Sequence, residues 1–133
     1  MKCWCAQLKP PCVIVVYYVL PAIRAFIAQN LVKGNLSQLD IAIKMGVTPA
    51  AITHYIKGKR GSSLVKKISQ SERVVKTILE LAECLKREET PIDVILSKTC
   101  EACRAIRSER LICDIHQAKM QALKKCGCNL CEM

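Results

Sequence analysis

Aromatic residues are scarce in this chain. Its 133 residues include one Trp, one Phe and three Tyr, so Leu, Ile, Val and Ala supply most of the apolar content. No stretch reads as several strands separated by turns, and this pattern predicts a mainly α-helical protein. The length is sufficient for one compact domain or two small ones.

Acidic residues are also few. The 21 Lys and Arg residues outnumber the 11 Asp and Glu residues and give the chain a formal charge of +10. Such a balance favours a polyanionic partner, either nucleic acid or an anionic membrane surface. Charge alone does not distinguish between these two partners.

The sequence has no ordinary signal peptide and no apolar run long enough to span a bilayer. The run Val13–Ile23 follows Pro10-Pro11, holds 11 residues and ends at Arg24, whereas a membrane-spanning helix needs about 20. This pattern indicates a buried helix, a cytoplasmic protein and no membrane partner. In a reducing compartment we expect the ten cysteines to be thiolates or metal ligands rather than disulfides.

Patterns typical of enzymes are absent too. The sequence has no paired carboxylates, no Gly-rich phosphate loop and no Ser/His/Asp arrangement that stands out. Its Cys-x-x-Cys pairs do not lie at the start of a helix in a βαβ unit, which argues against a thiol–disulfide enzyme. We therefore predict that the chain is not an enzyme and has no small-molecule substrate.

The first long helix is predicted from about Leu20 to Lys33. Pro21 is tolerated in a first helical turn, and Gly34-Asn35 is a good stop signal. Three residues at i, i+4 and i+8 are predicted to face inward, namely Ile23, Ile27 and Leu31. The β-branched and aromatic residues 13–19 fit either a strand or an additional helix.

The next segment has the signals of two short helices separated by a tight turn. Ser37 is a good N-cap for a helix through Met45, and Gly46 can adopt the positive φ that a tight turn requires. Thr48 is a good N-cap for a second helix, and Pro49 fits its first position because a missing N–H does no harm there. The residues predicted to point inward are Leu39, Ile41, Ala42, Val47, Ile52 and Ile56.

The outer side of the second helix is left to Ala50, Ala51, Thr53, His54 and Lys57. Its N-terminal end is narrow enough to enter a DNA major groove, and a helix N-terminus also favours phosphate oxygens. The basic turn 57–61 follows and suits the phosphate backbone. From residue 33 to residue 67 a single acid, Asp40, stands among seven basic residues: Lys33, Lys44, Lys57, Lys59, Arg60, Lys66 and Lys67.

Residues 36–57 resemble the lambda-repressor-like, or XRE-type, helix-turn-helix. The family pattern is Leu-Ser-Gln, then Ala, then Gly-Val-Thr or Gly-Val-Ser, then a helix with Ile at its fifth place, then a basic turn that contains Gly. All of these features are present in this chain. The resemblance implies a sequence-specific transcription regulator that binds double-stranded DNA.

The same resemblance implies which side chains meet DNA. Those that would face the groove are Gln38, Thr48, Pro49, Ala50, Thr53 and His54, and those suited to grip the backbone are Lys57, Lys59 and Arg60. The second helix departs from the pattern because its outer side is poor in Arg, Asn and Gln. Contacts to thymine methyl groups or shape readout would therefore matter more than bidentate base contacts.

A charged amphipathic helix is predicted between Glu72 and Glu89. Its apolar residues recur at helical spacing and are Val75, Ile78, Leu79, Ala82 and Leu85. Thr90-Pro91 ends the helix, because proline disfavours helical geometry in the preceding residue. We expect this helix to pack on the first block, to form a dimer, or to do both, with Cys84 as a core or interface residue.

Six of the ten cysteines lie in the C-terminal third of the chain, at positions 100, 103, 113, 126, 128 and 131. A Cys-x-x-Cys pair places two thiolates within reach of one metal ion or cluster. Cys100, Cys103, Cys128 and Cys131 would make a four-cysteine zinc site, and His116 could instead complete a site of three cysteines and one histidine.

An iron–sulfur cluster is the other option at these cysteines. Cys100, Cys103 and Cys113 would hold it together with Cys126, Cys128 or Cys131. Nearby Arg and Lys residues would offset the negative charge of such a cluster. Spacing alone leaves both options open.

A wider part of the chain, from residue 12 to residue 131, looks like a group of small archaeal predicted transcriptional regulators. The likeness rests on Val-Leu-Pro-Ala-Ile-Arg at residues 19–24, the XRE-type motif, and a tail of Cys-x-x-Cys, Cys-x-x-His and Cys-x-x-Cys. Cys12 fits the start of this group, whereas Cys3 and Cys5 do not obviously fit it. The resemblance implies an oxygen-sensitive iron–sulfur cluster, of the 4Fe-4S type, as a sensor in preference to zinc.

These inferences predict four segments: an N-terminal lead at 1–12, a helix-turn-helix DNA-binding domain at 13–68, a linking or dimerisation helix at 69–90, and a Cys-rich metal or iron–sulfur domain at 91–133. The expected protein is a homodimer that reads half-sites about 34 Å apart. Its DNA affinity would respond to redox state or cluster status. The alternatives are a zinc-stabilised regulator without a sensing role and a protein-interaction module of the transcription machinery.

Overall fold

The computed structural model describes residues 15–58 and 62–119. All regular structure within these two ranges is helical, which confirms the prediction of a mainly α-helical protein. A π-helical turn, Val15–Val19, leads into the first of the seven α-helices in the described ranges. These are α1 (Leu20–Lys33), α2 (Gln38–Met45), α3 (Pro49–Ile56), α4 (Ser62–Ser69), α5 (Glu72–Lys86), α6 (Ile92–Ser108) and α7 (Cys113–Lys119).

Helix α1 has the predicted bounds. Pro21 lies in its first turn, and the N–H of Gly34 donates to the carbonyl oxygens of Asn30 and Leu31 at 3.2 and 3.1 Å, which satisfies acceptors at the helix end. The three residues predicted to face inward are buried, and α1 also buries Ala22, Ala25 and Ala28. The alanines leave room for neighbouring helices to approach closely.

The π-helical turn and α1 together form a helix that is longer than the apolar run of 11 residues described above. Residues 15–33 form 19 helical residues that could cross a membrane by length and composition alone. In the fold, however, α1 packs against α2, α3, α4 and α5, and six of its residues are buried. This packing is what the core helix of a bundle requires, and it agrees with the prediction of a buried first helix.

One hydrophobic core connects the described helices. It extends from Val19, before α1, to Ile112, before α7, and includes residues of α1 to α6. Burying one Ile or Leu side chain stabilises a fold by about 1.5–3 kcal/mol relative to leaving it in water. Helices α1 and α5 each bury six residues, and α1 contacts α2, α3, α4 and α5.

Helix α5 differs from its prediction in length and in the face it buries. It ends at Lys86 rather than Glu89, because Arg87 adopts extended backbone angles of φ −79° and ψ 122°. The residues it buries are Val74, Thr77, Ile78, Leu81, Ala82 and Leu85. Val75 is therefore only partly buried and Leu79 is 36% exposed, so these two predicted inward residues lie at the edge of the buried face.

Helices α5 and α6 form an antiparallel hairpin. Arg73 near the start of α5 donates from Nη1 to the Ser108 hydroxyl at the end of α6, at 3.3 Å. Further along, Lys98 Nζ lies 3.2 Å from a carboxylate oxygen of Glu80. The hydrogen bonds from Lys98 to Glu80 and Glu101 raise the pKa of that lysine. These polar contacts set the register between the two helices.

Candidate functional site

The first half of the candidate site is α2 and the turn that follows it. Ser37 adopts the extended conformation of an N-cap, and its hydroxyl oxygen accepts a hydrogen bond from the N–H of Asp40 at 3.1 Å. Gly46 ends the helix in the left-handed region at φ 67°. Both features agree with the local predictions, and together they define α2 as a short, capped helix.

Helix α3 begins in the same way three residues after α2. The Thr48 hydroxyl oxygen accepts from the N–H of Ala51 at 3.2 Å, and Pro49 occupies the first helical position. Ile52 is fully buried and anchors α3 to the core. The Nε2 of Gln29 on α1 donates to the carbonyl oxygen of Tyr55 at 3.2 Å, which fixes the far end of the helix.

A side-chain hydrogen bond joins the outer surfaces of the two helices. The Thr53 hydroxyl donates to Oε1 of Gln38 at 3.1 Å, and the same hydroxyl lies 3.2 Å from the carbonyl oxygen of Pro49. Both residues were predicted to face DNA, but the sequence did not indicate that they touch. The bond holds the start of α2 beside the middle of α3.

The structure leaves the predicted groove-facing residues accessible. Gln38, Thr48, Pro49 and Ala50 are exposed, and Lys57 is exposed just after α3. Thr53 and His54 are partly buried, and Thr53 contacts Gln38 of α2. The predicted backbone-gripping residues Lys59 and Arg60 lie outside the described residues.

One prediction about inward-facing residues was wrong. Leu39 is 59% exposed, because the residues that α2 buries are Ile41 and Ala42, and Leu39 lies on another side of the helix. Ile56 is partly buried and packs against the core as predicted, and its neighbour Tyr55, for which no position was predicted, is buried as well. Which of two neighbouring residues is more deeply buried depends on the angle at which the next helix crosses.

An exposed apolar pair lies on the outer face of α2. Ile43 is 71% exposed, and it follows Leu39 by one helical turn. Leu39 was predicted to face the core, and no position was predicted for Ile43. A pair of large apolar side chains in water is a feature of binding surfaces more than of a solvated helix face.

The second candidate site is the cysteine pair on α6. Cys100 is exposed and Cys103, one turn later, is partly buried against the core. Burial raises the pKa of the Cys103 thiol to about 11, and the neighbouring Cys100 adds to the shift while Arg107 opposes it. In the absence of metal this thiol therefore stays protonated at neutral pH.

The remaining predicted ligands are not assembled with this pair among the described residues. Cys113 lies on α7 and is partly buried, and His116 is buried on the same helix. Within residues 15–58 and 62–119, no group of three or more His, Cys, Asp or Glu side chains is arranged to hold a metal ion. The other predicted ligands, Cys126, Cys128 and Cys131, lie outside the described residues, as do Cys3, Cys5 and Cys12.

The two sites offer different chemistry. The α2–α3 pair presents hydroxyl, amide and imidazole groups beside a helix N-terminus, which suits recognition of phosphate and base edges. The α6 pair presents two thiols, which suits a soft metal ion or cluster if further ligands join them. No protein-family model, curated protein or solved structure matches this chain.

Proposed function

We propose that this chain is a sequence-specific DNA-binding transcription regulator that inserts α3 into a major groove. The observation that carries the proposal is the 3.1 Å hydrogen bond between Thr53 and Gln38. It links two capped helices on their exposed side, and a rigid pair of this kind can present side chains to base edges at a fixed distance from the backbone.

The exposed start of α3 suits close approach to DNA. Thr48, Pro49 and Ala50 are small and exposed, so the helix can enter a groove without displacing long side chains. Their methyl and methylene groups favour contact with thymine methyl groups, and His54 and Thr53 supply hydrogen-bonding groups one turn later. Base readout would be modest, and DNA shape would contribute to specificity.

The charge around the helix pair favours a polyanion. Among residues 15–58, four basic residues accompany the single acid Asp40: Arg24, Lys33, Lys44 and Lys57. Lys57 is exposed directly after α3, where a lysine can reach a phosphate next to the groove. Binding of this kind releases counterions and weakens steeply as salt concentration rises.

Selection from a random double-stranded DNA library tests the proposal. Enriched sequences are then titrated by fluorescence anisotropy with the full chain and with Thr53→Val and His54→Ala variants. Loss of the Thr53 hydroxyl should weaken specific binding about three- to tenfold, while the control Gln70→Ala, on an exposed turn before α5, should bind as the unmodified chain does. Failure to enrich any sequence would overturn the proposal.

The exposed pair Leu39 and Ile43 favours a second candidate function, a protein-interaction module of the transcription machinery. An apolar pair on α2 would bind a protein partner through burial of surface, with little dependence on salt. The two functions are separated by measuring the salt dependence of DNA binding. A linear fall of log affinity with log salt supports DNA binding, and binding to DNA that is weak at all salt concentrations supports the protein partner.

We further propose that the α6 thiols contribute to a metal-containing sensor, either an iron–sulfur cluster or zinc. Cys100 and Cys103 can supply two ligands from successive turns of one helix. A bound cluster would supply redox sensitivity, and zinc would supply stability alone.

Anaerobic purification with iron, sulfide and zinc analysis distinguishes these two cofactors. Cys100→Ser and Cys103→Ser should lower the metal content, whereas the control Cys84→Ser, on α5, should not. A colourless protein with stoichiometric zinc would exclude the cluster.

A further inference from the structure

Helix α6 is buried along its second half and exposed along its first half. Its buried residues, Ala102, Ala105 and Ile106, all belong to the second half. In the first half, Ile92 is 68% and Leu96 is 58% exposed. These two residues are four positions apart and therefore lie one above the other on the same side of the helix. They form the α6 face, an apolar surface that the described part of the chain leaves in water.

The described chain begins beside this helix. The π-helical turn Val15–Val19 contacts α6, and fourteen further residues precede Val15 in the sequence. Trp4 is eleven positions before Val15, and a stretch of that length spans about 36 Å when it is extended. The 17 residues of α6 rise only about 25 Å along the helix axis. The segment is therefore long enough for Trp4 to reach any turn of α6.

The residues before Val15 offer large apolar side chains. They include Leu8 and Trp4, and Trp4 is the only tryptophan of the chain. Tryptophan buries more apolar area than an aliphatic residue does when it packs on another side chain. Packing of Trp4 on the α6 face would therefore remove apolar surface of both partners from water.

The charges of the two surfaces are complementary. Residues 1–14 contain two lysines and no acid. Three exposed acids, by contrast, lie in the first turn of α6 or in the turn before it: Glu88, Glu89 and Asp93. None of them belongs to an ion pair within residues 15–58 and 62–119. Since the whole chain has a formal charge of +10, this acidic surface is a local feature, and it favours a basic segment.

The segment that follows α7 fits the α6 face less well. Helix α7 lies beside α4, where Asp114 Oδ2 is 3.7 Å from Lys67 Nζ, so the chain continues from that side of the fold. Residues 120–133 contain no aromatic side chain, and Glu132 adds an acid to them. The N-terminal segment therefore matches the α6 face better in both apolar content and charge.

We infer that residues 1–14 pack on α6 of their own chain, with Trp4 on the face that Ile92 and Leu96 form. The lysines of the segment lie near Asp93 and the two acids of the preceding turn. Because the two partners are parts of one chain, docking does not depend on protein concentration. It requires neither DNA nor a bound metal ion, so its test is separate from those of the proposed function.

Tryptophan fluorescence of the full chain measures the docking directly, because Trp4 is the only source of that signal. In reduced, metal-free protein, acrylamide should quench Trp4 several times less than it quenches free N-acetyltryptophanamide. Leu96→Lys should weaken docking about tenfold or more and raise the quenching constant towards that of the free compound. Ile43→Lys is the matched control, because it makes the same change at an exposed apolar residue of α2. Circular dichroism checks that each variant is folded.

A second pair of variants tests the charges. Asp93→Lys should also raise the quenching of Trp4, because it places a positive charge beside a basic segment. Asp40→Lys should leave the quenching unchanged, since Asp40 is an exposed acid in the first turn of α2.

Three results would overturn the inference. The first is a Trp4 that acrylamide quenches as strongly as the free compound. The second is a Trp4 whose quenching Leu96→Lys leaves unchanged, or changes no more than Ile43→Lys does. The third is quenching that falls as protein concentration rises, because a second copy would then be what covers Trp4.

Discussion

Lys44 on α2 donates a hydrogen bond from Nζ to the backbone carbonyl oxygen of Lys86, the last residue of α5, at 3.4 Å. Carbonyl groups in the last turn of a helix lack intrahelical partners and carry the negative end of the helix dipole. The lysine therefore meets an acceptor that favours a positive charge. Since the two residues are 42 positions apart, this contact connects the α2–α3 pair to the C-terminal end of α5.

Replacing Lys44 with Met should lower the free energy of unfolding by about 0.3–1 kcal/mol, because it removes a cation from a helix C-terminus and keeps most of the apolar stem. Urea denaturation followed by circular dichroism measures the change. Lys76→Met, at an exposed position within α5, is the control. Equal stability of the two variants would show that the contact with Lys86 contributes nothing.

The N-cap residues of α2 and α3 should contribute to the stability of the fold, in addition to any effect on DNA binding. Ser37→Ala and Thr48→Ala each leave a backbone N–H without its partner and should cost about 1 kcal/mol. Ser97→Ala, at an exposed position inside α6, should cost nothing, since alanine is the better helix former there. Thermal unfolding compares the three variants, and a Ser97→Ala variant as unstable as the cap variants would contradict the assignment.

Substitution of Gly46 should destabilise the protein through its backbone conformation alone. Its φ is 67°, and an added Cβ would meet no heavy atom within 4 Å, so Gly46→Ala should cost about 1–2 kcal/mol through backbone strain without a clash. Gly46→Asn should cost less because asparagine tolerates the left-handed region. Gly34 has φ −83°, so Gly34→Ala should be milder than Gly46→Ala when urea midpoints are compared. The reverse order would contradict the turn geometry.

The cysteines of the described ranges should differ in the rate at which they react with a thiol reagent. In reduced, metal-free protein, Cys100 is exposed while Cys84, Cys103 and Cys113 are partly buried. Iodoacetamide should therefore modify Cys100 several times faster than the other three, because access controls the rate and because burial also raises the pKa of the Cys103 thiol. Peptide mapping by mass spectrometry follows each site. Equal rates at Cys100 and Cys103 would show that α6 opens readily in solution.

Features governed by local chemistry could be predicted from the sequence. The bounds of α1 follow from Pro21 and Gly34, and the α2–α3 unit follows from Ser37, Gly46 and Thr48. In each case a side chain satisfies a neighbouring backbone group, or a glycine adopts a conformation other residues avoid. Such signals act over a few residues and need no knowledge of the rest of the fold.

Features governed by packing could not be predicted in the same way. Periodicity identified α5 as amphipathic, but the buried residues include Val74 and Leu81 rather than Val75 and Leu79. The choice between neighbours depends on the angle at which α1 and α6 cross α5. The same limit explains why Leu39 was placed in the core. The separate helices α4 and α6 were not predicted, because the helices they pack against determine which of their apolar residues are buried.

The exposure of Ile92 and Leu96 on α6 could not be predicted from the sequence either. It depends on which face of α6 packs against α5, and that face is set by residues far apart in the chain.

The central position of α1 has a practical consequence for dissecting the protein. Because α1 contacts α2 and α3 as well as α5, and their buried residues belong to one core, we expect the α2–α3 pair and α5 to unfold together. A fragment that stops after residue 68 would expose the residues of α1 that α5 covers, and it would unfold or aggregate rather than bind DNA. Limited proteolysis should therefore release no stable piece that contains the α2–α3 pair without α5.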